Sequence, residues 1–191
     1  MPALIKRIKS IATAYSVEIS DINAKYLVEC CGTSIQDIIN ELRKLIEYKG
    51  KNGIIEKEDI DLLVIKQIDS IIFDLTDNLG KRNIKEALNV LNNLIYQKEP
   101  IQKIMISLYN HFKKIYFTKI ALQENANIAE VLNLKPNQSF LINKYKMQCN
   151  YFKLDELKKI LSELAQLDYS YKIGNIDINI GLETILCNYC S

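Results

Sequence analysis

Apolar residues recur every three or four positions along most of this chain, with polar residues on the opposite faces of the same segments. Residues 32–45, GTSIQDIINELRKL, show the pattern most fully. Ile35, Ile38, Ile39, Leu42, Leu45 and Ile46 follow helical spacing, so one face is apolar. Gly32 suits the end of a preceding helix, because glycine takes a left-handed conformation at little cost. Thr33 or Ser34 can cap the new helix by accepting a free backbone N–H. Ser34 with Asp37 resembles a capping box made with an acid shorter than the usual Glu. The polar series Asn40, Glu41, Arg43, Lys44 reads as a solvated face.

The same reasoning predicts a helix over residues 3–15, with Leu4, Ile8, Ile11 and Ala12 inward. Ser20 caps a short helix to Cys31 that carries Ile22, Leu27 and Val28. Gly50 and Gly53 end the third helix, and residues 58–65 form a fourth. Further helices are predicted over 70–79, stopping at Gly80, and from an Asn83 cap to Gln97, with Ile84, Leu88, Leu91, Leu94 and Ile95. Pro100 fits the first residue of the longest helix, which reaches about Gln123. Asn127 caps a short turn to Leu132, and Pro136 opens a helix to about Cys149. The last two helices cover 155–171, broken by Gly174 and Asn175, and 177–188. Residues 173–180 alternate apolar and polar, but the run is short and leads straight into a helical period, so no strand is predicted. Six glycines and three prolines leave few interruptions, which suits an all-α fold rather than a sandwich or barrel.

Composition adds bounds. A chain of 191 residues, 48% hydrophobic, can bury one large core or two small ones. The net charge of +2 is not that of a dedicated DNA-binding domain. Between residues 103 and 146 the bases are Lys103, Lys113, Lys114, Lys119, Lys135, Lys144 and Lys146, against Glu124 and Glu130 alone. That segment reads either as a solvated bundle face or as a phosphate-facing surface. The five cysteines are Cys30, Cys31, Cys149, Cys187 and Cys190. Their odd number, the basic amphipathic start without an apolar h-region and the lack of a run near ~18 apolar residues point to a reduced cytoplasmic protein with no membrane segment. Cys187 and Cys190 have C-x-x-C spacing, yet zinc needs two more ligands, which the lone His111 and the adjacent Cys30 and Cys31 supply poorly. No metal is expected.

Catalytic patterns are missing from the sequence. Gly80-Lys81 is followed by Arg82, with no glycine placed to make a Walker A loop, and there is no G-x-G-x-x-G. A Ser/His/Asp set would rest on His111 alone, and no nucleophile elbow occurs. The pairs Asp59/Asp61 and Asp155/Glu156 sit at helix N-termini, where the helix dipole accounts for them. Neither a cofactor nor a catalytic residue is expected, and His111 reads as half-exposed or satisfied in the core.

Gly32, Asn40, Glu41, Leu42, Lys44 and Leu45 together resemble the glycine and N-E-L-x-K-L helix in the lid of the delta subunit of bacterial DNA polymerase III, a clamp-loader family. The resemblance continues through Tyr48, the 49–53 turn, Ile54-Ile55 and Asp59-Ile60, then Ile72-Phe73-Asp74-Leu75. Ala87-Leu88, Leu91, Leu94, Pro100 and Ile104 follow, and lastly Leu167-Asp168, Lys172 and Gly174. Leu167 departs from the small residue often found there, and Cys30-Cys31 from ordinary helix residues.

The resemblance implies a small AAA+-type helical lid over residues 1–68 and a helical-bundle collar over 69–191. It implies a non-catalytic subunit that helps load the sliding clamp on primed DNA in replication. Its partners would be the gamma/tau and delta prime subunits, met through the collar, with only weak contact to primed DNA. Contact with the sliding clamp would need an N-terminal AAA+-like domain, so the chain is expected to be a C-terminal fragment. Tyr109, Phe112 and Tyr116 recur at helical spacing and, with Ile185 and Tyr189, are candidates for the subunit interface; intramolecular core is the competing reading. Lys6, Arg7, Lys9 and Lys172 are positional candidates for DNA phosphates. The alternative function is a helical protein-interaction or regulatory module unrelated to replication.

Overall fold

Side-chain caps decide where several helices begin. Ser20 Oγ accepts from the Asn23 amide, Ser34 Oγ from Asp37, Asn83 Oδ1 from Glu86, and Asp177 Oδ1 from Asn179 and Ile180. In the computed structural model, which describes residues 2–32 and 34–189, the chain forms eleven α-helices and one pair of two-residue strands. The fold is all-α. Thr33 and Cys190 lie outside the described residues. The chain divides into two compact units, Met1–Ser70 and Ile71–Ser191.

The first unit contains α1 (Pro2–Ala14), β1 (Glu18–Ile19), α2 (Asp21–Cys31), α3 (Ile35–Lys49), β2 (Ile54–Ile55) and α4 (Lys57–Leu63). Ile8, Ala12, Leu27, Leu42, Leu45, Ile55 and Ile60 fill its core, all at 2% exposure or less. Each such Leu or Ile contributes about 1.5–3 kcal/mol relative to an exposed position. Ile22, expected inward, is instead 80% exposed, because it lies across α2 from Ala24 and Val28. The strands pair in parallel, Glu18 opposite Ile54 and Ile19 opposite Ile55, and so tie together the entries to α2 and α4. No strand was expected here; two residues are too few to display a period of two. Lys49, ending α3, and Asp59, in the first turn of α4, form an ion pair at 2.9 Å.

The boundary between the units falls in the first turn of α5 (Ile68–Gly80). The second unit then contains α6 (Ile84–Tyr96), α7 (Ile101–Gln123), α8 (Ile128–Val131), a 3₁₀ turn (Pro136–Gln138), α9 (Phe140–Gln148), α10 (Leu154–Lys172) and α11 (Ile178–Asn188). The long α7 is its axis, burying Ile104, Leu108, Phe112 and Ile115 against its neighbours. Pro136 opens the 3₁₀ turn, not the helix, which starts at Phe140. The alternating 173–180 stretch is the turn after α10, with Gly174 at φ +75°, and the start of α11. Leu167, the departure from a small residue, packs on Gly181 of α11, where an added Cβ would stand 2.1 Å from Leu167 Cδ1. A large side chain on α10 is thus matched by the absence of one on α11.

Candidate functional site

The helix α3 holds its own unit's exit. Leu42 and Leu45 are fully buried. Glu41 and Lys44, one turn apart, pair at 2.6 Å on the neighbouring face. Lys44 Nζ also donates to the Leu63 carbonyl at 3.3 Å, and the Ile65 amide donates to Glu41 Oε2 at 3.1 Å. A helix end leaves carbonyls without intrahelical partners, and Lys44 answers one of them at the end of α4. Farther along, the Gln67 amide donates to the Cys30 carbonyl at 2.9 Å, and Gln67 Nε2 to Asp37 Oδ2 at 3.2 Å. Asp37 therefore binds Gln67 with the carboxylate that a capping box would turn back toward Ser34. Gly32 sits at φ +72°, and a Cβ there would meet Gln67 Oε1 at 2.3 Å. Within the polar series Glu41 and Lys44 form a strap over residues 63–67, the Glu41 side chain only 14% exposed, while Arg43 lies on the solvated face. Asn40 remains at the surface, accepting from Gln36 Nε2.

A second polar cluster joins α2 to α4. Tyr26 Oη donates to Asp61 Oδ1 at 2.5 Å, Lys66 pairs with Asp61 at 3.2 Å, and the Lys57 ammonium lies 5.4 Å from the Tyr26 ring centre. Burial raises the Asp61 pKa, but bonds from Tyr26 and Lys66 outweigh it and hold the carboxyl below its ordinary value.

In the second unit the interface candidates separate. Phe112 is 1% exposed and meets Phe152 edge to face at 5.6 Å. Ile185 and Tyr189 are each 8% exposed. These three are buried within their own unit, where the core reading that competed with a subunit interface accounts for them. Tyr109 and Tyr116 are half-buried, and on the same side of α7 Ile106 is 56% and Phe117 37% exposed. Ile106, Tyr109, Lys113, Tyr116 and Phe117 recur at helical spacing and leave this face of α7 uncovered. Ile106 and Phe117 were legible as part of that stripe; only burial distinguishes them from Phe112.

His111 is buried, 5% exposed, with Nε2 2.7 Å from Gln148 Oε1. Gln148 Nε2 donates to the Phe73 carbonyl at 3.1 Å and to Asp77 Oδ1 at 2.6 Å. Both amide hydrogens being committed, the Gln148 oxygen must accept, so the neutral imidazole carries its proton on Nε2. Burial drives the His111 pKa down to about 3, with the Gln148 bond opposing and Lys114 assisting. The group is a satisfied core histidine, one of the two readings the sequence left open.

Of the candidate phosphate-binding residues, Lys6, Arg7 and Lys9 lie on α1 in the first unit and Lys172 ends α10 in the second. Lys6 and Arg7 are exposed on α1, beside an open cleft of about 710 Å³ that Lys6, Lys9 and Asp21 help to line. Lys9 is paired with Asp21, and Lys172, in the other unit, with Asp168 at 2.6 Å. Lys103 pairs with Glu99, and Lys119 donates to the Cys149 carbonyl at the end of α9.

Residues 69–189 match the family model for the DNA polymerase III delta subunit, C-terminal domain. The chain belongs to the DNA polymerase III delta subunit family. It is 28% identical over 163 residues to DNA polymerase III subunit delta of Bacillus subtilis strain 168, covering 85% of this chain and 47% of that protein. Its structure is similar to the Bacillus subtilis DNA clamp loader delta protein, with a TM-score of 0.85 and 26% identity over 99% of this chain and 56% of the other. The chain spans about half the length of these delta relatives.

In this delta-family chain Cys30, Cys31 and Cys149 are buried thiols, and Cys187 is exposed. Burial pushes the Cys31 thiol up to about 12, so it is inert at neutral pH. Among the described residues no group of three His, Cys, Asp or Glu is placed to hold a metal, and no helix is long and apolar enough to cross a membrane.

Proposed function

We propose that this chain is the lid and collar portion of a non-catalytic clamp-loader delta subunit, acting in the cytoplasm during DNA replication. Residues 1–68 serve as the AAA+-type lid and 69–191 as the collar. The collar joins the gamma/tau and delta prime subunits, and the assembly loads the sliding clamp on primed DNA. Contact with the clamp belongs to the half of the full-length relatives that this chain does not span. The observation carrying this reading is the uncovered face of α7 from Ile106 to Phe117, on a helix whose opposite face is core. Aromatic and aliphatic residues in this arrangement suit an interface core, and a stable interface needs roughly 1,200–2,000 Å². Lys6 and Arg7 add weak, salt-sensitive attraction to DNA phosphates.

The test is co-expression with the cognate gamma/tau and delta prime subunits. The chain should co-elute with them, and Ile106→Asp with Tyr116→Asp should abolish co-elution while leaving the circular dichroism spectrum intact. A double variant that still assembles would sink the assignment of this face.

A further inference from the structure

Between α4 and the core of the second unit the chain passes through two short stretches that are held very differently. Residues 64–67 have no regular secondary structure, yet they are fastened along their length. Val64 is 8% exposed, and its amide donates to the Ile60 carbonyl at 3.0 Å. The Ile65 amide is bound by Glu41, the Lys66 ammonium by Asp61, and Gln67 by the Cys30 carbonyl and the Asp37 carboxylate. All of these partners lie on α2, α3 and α4 of the first unit.

Residues 68–71, the first turn of α5, are helical but weakly held. None of them is buried, and Asp69 is exposed. The opening amides of a helix lack intrahelical partners, and among the described residues no side chain caps α5. The Ser70 amide only reaches back to the Gln67 carbonyl, at 2.9 Å. Firm packing resumes at Ile72, 1% exposed, and continues through Leu75 and Thr76 at 0%. The division between the two units falls inside this turn, after Ser70.

We propose that the hinge between the two units is this first turn of α5, residues 68–71, and that the irregular 64–67 stretch moves with the first unit. Local opening begins where buried contacts are few and backbone groups are exposed. Here the loop has its groups bound and the helical turn does not, so the turn yields first. A residue rises 1.5 Å in a helix and about 3.3 Å when extended, so unwinding the turn releases about 7 Å of chain. That slack lets the second unit pivot while Glu41 and Asp37 keep their hold on the chain before it. The face of α7 takes no part, so the hinge and the subunit contact can fail separately.

Amide hydrogen exchange on the full chain, corrected for intrinsic rates, tests the location. Amides of 68–71 should exchange at least about tenfold faster than those of Ile65 and Gln67. Ser70→Gly, which weakens the helical turn, should speed exchange at 69–71 about threefold further and leave Ile65 and Gln67 unchanged. Asp37→Ala with Glu41→Ala should raise Ile65 and Gln67 to the rate of 68–71, while continued protection of Leu42 and Leu45 shows α3 folded. ¹⁵N relaxation separates a hinge from a frayed turn: in Ser70→Gly the correlation times of the two units should move apart. Ile65→Gly should not move them, because that side chain is exposed and its amide keeps Glu41. Equal or greater protection at 68–71 than at Ile65 and Gln67 in the parent would overturn the proposal. So would correlation times that respond to Ile65→Gly or ignore Ser70→Gly.

Discussion

In Met1–Ser70 the polar groups beside the core are ionised. Asp59 meets Lys49 at 2.9 Å and accepts from the Glu56 amide at 2.7 Å, and Glu41 meets Lys44 at 2.6 Å. In Ile71–Ser191 the buried members of the corresponding cluster, His111, Gln148 and the Phe73 carbonyl, are neutral, and a carboxylate, Asp77, meets Gln148 only at its half-buried edge. Charged pairs near the surface draw on Coulomb attraction, which water and salt weaken. A buried neutral network depends on every donor finding its acceptor, and the loss of one member strands the others. The two units should therefore answer differently to mutation, acid and salt.

The largest difference is expected from Gln148→Leu. The change leaves the Phe73 carbonyl, Asp77 Oδ1 and His111 Nε2 without the partner they now share. Urea denaturation followed by probes in the second unit should show a loss of about 3 kcal/mol. A loss below about 1 kcal/mol would mean that the network contributes little.

Acid comes next. The His111 pKa falls from an ordinary 6.5 to about 3 in the folded chain. The unfolded state then binds more protons across that window, so the contribution of neutral His111 is whole above 6.5 and is lost as pH falls toward 3. For Asp59 burial would raise the carboxyl, but the bonds from Lys49 and the Glu56 amide hold it below its ordinary 3.8. Its contribution is present above 3.8 and disappears only as pH falls through the depressed folded value. Between these limits acid should loosen the second unit first. Hydrogen exchange, corrected for its intrinsic pH dependence, should accelerate in α7 and α9 before α3 and α4. Simultaneous loosening would break the contrast.

Gly32→Ala should cost about 2 kcal/mol in the first unit. Roughly 1 kcal/mol is the backbone cost of a side chain at positive φ, and the rest comes from displacing Gln67 off Asp37 and Cys30. The Gln67 amide should lose its protection from exchange. Unchanged protection there would show that Gly32 serves the turn alone.

The residues explain how much of this could be read in advance. Ser20, Asn83 and Asn127 each announce a helix start through a local rule and cap as expected; Ser34, offered as a cap alongside Thr33, accepts from Asp37, and Asp177, expected inside its helix, caps it instead. The apolar stripe of α3 likewise buries Ile38, Leu42, Leu45 and Ile46. What escaped was set by distant partners. Gln148 lies 37 residues from His111, and Ile65 lies 24 from Glu41; neither spacing leaves a periodic trace. Phe112 and Tyr116 share one stripe, yet Phe152, 40 positions beyond Phe112, decides which of them is core. On the candidate interface, sequence located the helix, and packing chose the face.

Glu41→Gln sets the lower end of the comparison. Glutamine keeps an oxygen for the Ile65 amide but removes the charge that holds Lys44. Partly exposed pairs of this kind are worth about 0.5 kcal/mol, so the first unit should lose about that much at low salt. The screening length shrinks to about 3 Å near 1 M salt, so most of the difference between variant and parent should vanish there. The cost of Gln148→Leu should persist in the same salt, because unsatisfied groups in a core are not screened by ions outside it. If Glu41→Gln costs the same at both ionic strengths, the strap over residues 63–67 is held by hydrogen-bond geometry, and the two units are more alike than their charges suggest.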